Sequence, residues 1–230
     1  MLIAFLSEKG GAGKTTLAAL ISERLAQLGA PLRVADGDPQ RSLAAVAEAS
    51  GGRIPQAMEV GPGTFPALAQ RPGLTLLDLP SGINERFDAA LAVCDAVLVP
   101  VVPSAFDLRT LPATLTRVRH AQDLRGGPPR ALLVPNKLNL REPMTKQLLA
   151  TLSQLKWPVS QRWLLQRSAY ARMGEAGLAA LPRTSRRQAD EEVAALVEEV
   201  VERLELPIRP EAGSAESAPN QEPNQEGQAA

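Results

Sequence analysis

The chain has 230 residues, is 44% hydrophobic, and carries 25 Lys/Arg against 25 Asp/Glu, so its formal net charge is zero. That length can bury a full core as one α/β unit, and no apolar run approaches the ~20 residues of a bilayer crossing, which excludes a transmembrane helix. The lone cysteine, Cys94, excludes an internal disulfide; it lies in an apolar stretch, reads as a small core residue, and fits a reducing, cytoplasmic setting.

The first apolar run, Leu2–Leu6, reads as a strand, and Leu17, Leu20, Ile21, Leu25 and Leu28 mark the buried stripe of a helix over 14–28. Between them stands Lys9-Gly10-Gly11-Ala12-Gly13-Lys14-Thr15-Thr16. A glycine-rich turn from strand to helix aims backbone N–H groups at one point, where the helix dipole also favours an anion, and so suits the phosphates of a nucleotide. Lys14 is then placed for the β/γ-phosphates and the Thr15 hydroxyl for Mg²⁺. The general pattern G-x-x-x-x-G-K-[ST] wants glycine at position 8, where this chain has Glu8, and Lys9 is a second lysine inside the loop. A cleaved leader is not expected, because its removal would take this motif with it.

The second strand, Leu32–Ala35, runs into Asp36-Gly37-Asp38-Pro39-Gln40 and a helix over 40–49. Carboxylates two residues apart point the same way on a strand, and phosphoryl transfer to water needs a group to orient the water and carboxylates around Mg²⁺. Asp-Gly-Asp-Pro is also an ordinary turn sequence; its position one helix after the phosphate loop singles it out. The strand Leu74–Leu77 ends in Asp78, an acid placed to hold Mg²⁺ through water, and Pro80-Ser81-Gly82 follows where a γ-phosphate would be sensed. Then come a helix over 85–92, a strand Ala96–Val101, a helix over 105–124 and a strand Ala131–Val134 followed by Asn136. Helical patterns return at 143–155, 168–176 and 186–205, with Trp163–Leu165 as a further short strand candidate.

This alternation predicts an α/β fold, a mostly parallel twisted sheet with helices on both faces, whose ligands bind at the carboxyl ends of its strands. Stretches 50–52, 61–63 and 126–129 read as short Gly/Pro loops, so residues 1–206 form one domain. Residues 207–230 are rich in Pro, Glu and Gln, repeat Pro-Asn-Gln-Glu at 219–222 and 223–226, and read as a disordered polar tail.

The zero net charge hides an asymmetry. Residues 117–187 hold 14 Lys/Arg against 3 Asp/Glu, and residues 188–230 hold 2 against 11. The basic segment reads either as a polyanion-binding surface or as solvated helix faces with snorkelling arginines. Arg162, Arg167, Arg172, Arg183, Arg186 and Arg187 are the candidates for phosphate contacts that do not read bases. The last helix has an acidic polar face, which argues against docking on a membrane surface.

The loop Lys9-Gly10-Gly11-Ala12-Gly13-Lys14-Thr15 resembles the deviant Walker A motif, K-G-G-x-G-K-[ST], of the ParA/MinD family of P-loop ATPases. Asp36-Gly37-Asp38-Pro39-Gln40 matches that family's D-x-D-P-Q, and Gln166-Arg167-Ser168-Ala169-Tyr170 is similar to a Q-R-x-x-Y segment of small plasmid-type ParA proteins. The resemblance covers residues 1 to about 205.

It implies ATP and Mg²⁺ as ligands, with Gly10, Gly11, Ala12, Gly13, Lys14, Thr15 and Thr16 around the nucleotide and Asn136 at the adenine. It assigns Thr15, Asp36 and Asp78 to the metal, Asp38 to the water, and Lys9 to the nucleotide of a partner subunit in an ATP-induced homodimer. By the same resemblance the activity is ATP hydrolysis in DNA partition. The expected partners are non-specific double-stranded DNA and a ParB-like stimulating protein, and the expected place is the nucleoid. An N-terminal helix-turn-helix extension is not expected, with the loop starting within ten residues of the first. Two alternatives stay open: a positioning ATPase for a non-DNA cargo such as a carboxysome or chemoreceptor array, and a metabolic P-loop enzyme without DNA affinity.

Overall fold

A computed structural model describes residues 1–171 and 183–208. Six strands run as β1 (Leu2–Phe5), β2 (Leu32–Asp36), β3 (Ala57–Glu59), β4 (Leu74–Asp78), β5 (Ala96–Val101) and β6 (Arg130–Pro135). They form one sheet in the order β3-β2-β4-β1-β5-β6, and every pairing in it is parallel. The helices are α1 (Lys14–Gln27), α2 (Ser42–Ala49), α3 (Phe65–Ala69), α4 (Glu85–Leu91), α5 (Ala105–Arg125), α6 (Pro143–Gln154), α7 (Ser168–Ala171) and α8 (Arg183–Leu204).

Strand alternation sorts β1 between two cores. Ile3 and Phe5 pack with Leu17, Leu20 and Ile21 of α1 and with Val193, Leu196 and Val200 of α8. Leu2 and Ala4 face the opposite way, toward Phe65, Phe87, Leu115 and Leu148 from α3, α4, α5 and α6. A sheet buried on both faces needs near-continuous apolar strands, and β1, β4 and β5 are buried at every position. Helix starts are fixed locally: the Asn84 side chain accepts from the N–H groups of Arg86 and Phe87, and Ser104 accepts from Asp107. Cys94 is fully buried, as expected of a small core residue, and burial pushes its thiol up to about 12.

Five strands fall where the sequence placed them, within a residue at each end. Three elements were not expected. β3 is a three-residue edge strand, too short to show alternation. The Gly/Pro stretch read as a loop folds into a 3₁₀ turn at Pro62–Thr64 that runs into α3, with proline at the first turn of each. The candidate strand Trp163–Leu165 reduces to a single bridge between Leu165 and Leu138. The helix expected over 168–176 is described only as α7, and Arg172 and the tail from residue 209 lie outside the described residues.

Candidate nucleotide site

β1 is central: the chain passes from it to β2, beyond β4 on one side, and later crosses from β4 to β5 on its other side. The loop after β1 therefore opens at the carboxyl edge of the sheet, where such a reversal leaves a crevice. Gly13 is the N-cap of α1 with φ 91°, and no side chain caps that helix start. Its first N–H groups are left for a ligand. A Cβ on Gly13 would also stand 2.4 Å from Asn136 Nδ2, so glycine is required twice over.

Lys14 and Thr15 project from the first turn of α1 into a group of acids. Lys14 is 6% exposed, and its ammonium donates to Ser81 Oγ at 2.6 Å, in the turn after β4. Thr15 Oγ1 donates to Asp78 Oδ2 at 2.6 Å. Asp78 is fully buried, and its Oδ1 has no hydrogen-bond partner. Burial pushes this carboxyl up to about 7, with Asp36 and Asp38 adding to the rise and Thr15 and Lys14 opposing it. Burial likewise lowers the Lys14 ammonium, against the pull of Asp78 and Asp38. The site thus holds a buried ammonium that donates to a hydroxyl and a buried carboxylate with one oxygen unpartnered. A phosphate chain with a divalent ion serves both, and the unpaired Asp78 oxygen beside the Thr15 hydroxyl fits Mg²⁺ held directly or through water.

Asp36 and Asp38 differ in what they touch. β2 and β4 pair with Asp36 opposite Asp78, so both acids stand at one sheet edge. Both Asp36 oxygens already accept backbone N–H groups, from Asp38 at 2.9 Å and Ala44 at 2.9 Å. It is placed to shape the loop from 37 to 44, while Asp78 and Thr15 form the closest pair for a metal. Asp38 Oδ1 accepts from Gln40 N at 2.9 Å, so the side chain closes the Asp-Gly-Asp-Pro turn as well as facing Lys14. Gly37 holds β2 against β4: its N–H donates to the Asp78 carbonyl at 2.8 Å, and a Cβ there would meet that oxygen at 3.0 Å.

Asn136 lies at the end of β6, 2% exposed, at the edge of a cavity of about 830 Å³ that Thr16, Gln166 and Tyr170 also line. Its amide donates to the Ala12 carbonyl at 2.8 Å and its Oδ1 accepts from Lys137 N. The residue expected at the base therefore also ties the phosphate loop to β6. Lys137, which sequence reasoning passed over, holds φ 53° and donates to the Gly11 carbonyl at 2.7 Å.

Lys9 turns away from its own phosphate loop. Its ammonium donates to Asp107 Oδ2 at 2.8 Å and Ser104 Oγ at 3.2 Å, at the start of α5, and lies 5.7 Å from the Phe106 ring centroid. The pattern Ser-x-x-Asp at 104–107 is a helix-start signature visible in the sequence, but nothing in it points to Lys9. Among the arginines read as phosphate contacts, Arg167 is engaged by Glu192, and Arg187 pairs with Glu191 at 3.1 Å. Arg162 is exposed, and its backbone N–H donates to Glu199. The backbone of Arg183 and Arg186 lies in α8, their side chains being outside the described set. The Q-R-x-x-Y segment is a clamp as built here, since Tyr170 donates to the same Glu192 at 3.2 Å.

The sequence matches the model of the CobQ/CobB/MinD/ParA nucleotide binding domain over residues 3–180, a span that holds the loop, the three acids and Asn136. The chain belongs to this family. A relative, maintenance of carboxysome distribution protein A of Halothiobacillus neapolitanus, is 28% identical over 209 residues, covering 86% of this chain and 95% of that protein. Protein ParA of Rhizobium radiobacter is 30% identical over 114 residues, 46% of this chain and 50% of that one. The fold recurs in a plasmid partition protein of Borrelia burgdorferi B31 bound to AMPPNP, with a TM-score of 0.65 at 14% identity over 86% of this chain and 98% of that one. It recurs in MinD of Pyrococcus horikoshii with Mg-ADP, with a TM-score of 0.61 at 17% identity over 86% and 95%. A P-loop α/β fold of the ParA/MinD kind, expected from the motifs, is thereby established, and no helix among the described residues is long and apolar enough to cross a membrane.

Proposed function

We propose that this family member is an ATP-hydrolysing switch that pairs with a second copy around two nucleotides, holds non-specific double-stranded DNA while paired, and lets go after hydrolysis. The observation that carries the reading is the pair of buried charged groups at the loop. A buried ammonium parks on Ser81, and a buried carboxylate oxygen has no partner, as a site built for Mg-ATP requires. Thr15 and Asp78 would hold Mg²⁺, which would supply neutralisation of the phosphate charge. Lys14 leaves Ser81 for the phosphates, and Ser81 is then released to report the γ-phosphate. Asp38 orients the attacking water. The N–H groups of the loop bind the phosphate oxygens, and Asn136 keeps the loop closed against β6.

The Lys9 ammonium is held by Asp107 and Ser104 and turned from its own loop, which supports its action on the nucleotide of a partner subunit. Pairing then exchanges the Asp107 contact for a phosphate, so hydrolysis weakens the pair by removing the acceptor. A partner protein of ParB-like kind, bound to the cargo, would speed that step, and the protein would reside on the nucleoid. The test measures light scattering and DNA binding with ATP, with ADP, and for Lys14→Ala. The reading requires a dimer and tight DNA binding with ATP alone, and equal DNA binding in all three states overturns it.

A second cargo is supported by one observation: the relative aligned over 95% of its length is a carboxysome distribution protein. That reading keeps the same switch and changes only what the stimulating partner sits on. A metabolic enzyme of the same fold would bind no DNA in any state, and the same experiment separates it.

A further inference from the structure

The basic segment of the sequence does not stay basic as a whole once folded. Part of it meets the acidic last helix: Arg167 pairs with Glu192, and Glu199 accepts from the backbone of Gln161 and Arg162, while Arg187 pairs with Glu191 within that helix. Those hydrogen bonds and that of Ser160 outweigh burial and hold the Glu199 carboxyl below its usual range. Part of the charge left over collects elsewhere, joined by Arg203 of the last helix. Arg119 from α5, Arg130 from β6, Lys156 before the bridge to β6, and Arg203 from the end of α8 surround a cavity of about 340 Å³. All four are exposed. Arg119 stacks over Trp157 with its guanidinium 4.5 Å from the ring centroid, which fixes its position. Lys156 has no acidic partner among the described residues, and Arg130 and Arg203 face Glu205 and Glu199, so the patch keeps a net positive charge.

We propose that this patch is the main contact of each subunit with the phosphodiester backbone of double-stranded DNA. The inference rests on the DNA-binding part of the function proposed above and relocates it. A small anion is held by desolvated donors, and these cations remain in water. Exposed arginines and lysines gain instead from displacing counterions along a polyanion, a little from each phosphate. No base-reading element is required.

The location has a consequence for the paired state. The patch sits at the amino end of β6, and the phosphate loop at the carboxyl end of β1, in a parallel sheet. Two subunits closed across the nucleotide face carry their patches on the outer ends. Each subunit meets DNA with its own patch, and ATP raises affinity by joining two patches in one particle.

The test compares wild type, Arg119→Ala/Lys156→Ala, Lys156→Glu and Arg162→Ala/Arg187→Ala for binding of a random-sequence duplex with ATP, from 50 to 200 mM salt. Two lost phosphate contacts lower the salt slope by about 1.8, so wild-type affinity falls about tenfold more over that range than that of the double variant, for each subunit engaged. Lys156→Glu, on an exposed side chain without an acid partner, weakens binding without disturbing the fold. ATP-driven pairing and basal ATP hydrolysis stay at wild-type levels in both. Unchanged DNA affinity in the two patch variants, with loss in Arg162→Ala/Arg187→Ala, overturns this proposal and leaves the DNA-binding switch standing. No wild-type DNA binding with ATP overturns both.

Discussion

Replacing Asp78 with asparagine is expected to stabilise the ligand-free protein and to abolish the ATP hydrolysis proposed for it. Asp78 is fully exposed to the cost of burial, having one partner, Thr15, and one oxygen with none. Its carboxyl titrates near 7 in the fold against 3.8 as the ordinary value. The folded pKa is the higher one, so the native state binds the extra proton and stability falls as pH rises from about 4 to about 7, then stays level. The charged form therefore costs about 4 kcal/mol at pH 8 and under about 2 kcal/mol at pH 5. Asparagine keeps an oxygen for Thr15 but buries amide N–H groups without acceptors, at a cost of about 1–3 kcal/mol. The net gain at pH 8 is about 1–3 kcal/mol, a rise in Tm of roughly 5 °C for a chain of this size. The assay is thermal unfolding by circular dichroism from pH 5 to pH 8 in EDTA, repeated with Mg-ATP. The variant should gain most at pH 8 and least at pH 5, and Mg-ATP should raise the Tm of wild type only. A ligand-free variant less stable than wild type at pH 8 would refute the reasoning that Asp78 is held in deficit for a cation.

Gly37→Ala puts a Cβ 3.0 Å from the Asp78 carbonyl and 2.9 Å from Leu79 Cδ2, which should cost about 1–3 kcal/mol in a urea titration. Asn136→Ala leaves the buried Ala12 carbonyl unpaired, so nucleotide affinity measured by calorimetry should fall about tenfold or more, a loss of about 1–3 kcal/mol, and unchanged affinity would show that the tie to β6 is idle. Asp107→Asn weakens the hold on Lys9, so light scattering should show pairing at lower ATP than wild type; a requirement for more ATP would remove Lys9 from the pairing step. Cys94, buried and with its thiol raised to about 12, should resist iodoacetamide at pH 8 in the folded protein and react fully in denaturant.

What the sequence made legible is what short-range rules govern. That the loop from Lys9 to Thr16 and the acids at 36, 38 and 78 come together could be read because each sits at the end of an apolar run, and a parallel sheet gathers such ends at one edge. Division of labour among those residues was not legible. Whether a carboxylate binds a metal or a backbone N–H depends on what the loop beyond it does, and the return of Ala44 toward Asp36 is a tertiary fact. The same holds for Lys9 and Asp107, 98 residues apart in the chain. Charge is the sharpest case. Summed along the chain, residues 117–187 look like one basic surface. The acidic helix that follows lies against only part of it, because its apolar stripe of Val193, Leu196, Val197 and Val200 must cover the sheet beside α1. Hydrophobic burial of that stripe, worth about 1.5–3 kcal/mol per side chain, sets where the helix lies. Exposed ion pairs, at about 0–1 kcal/mol each, then form wherever that docking brings opposite charges together. Glutamates 192 and 199 arrive beside Arg167 and the turn at Arg162 as passengers of the apolar face, Glu191 pairs with Arg187 one turn earlier in the same helix, and Arg119 and Lys156 are among the cations left for a partner.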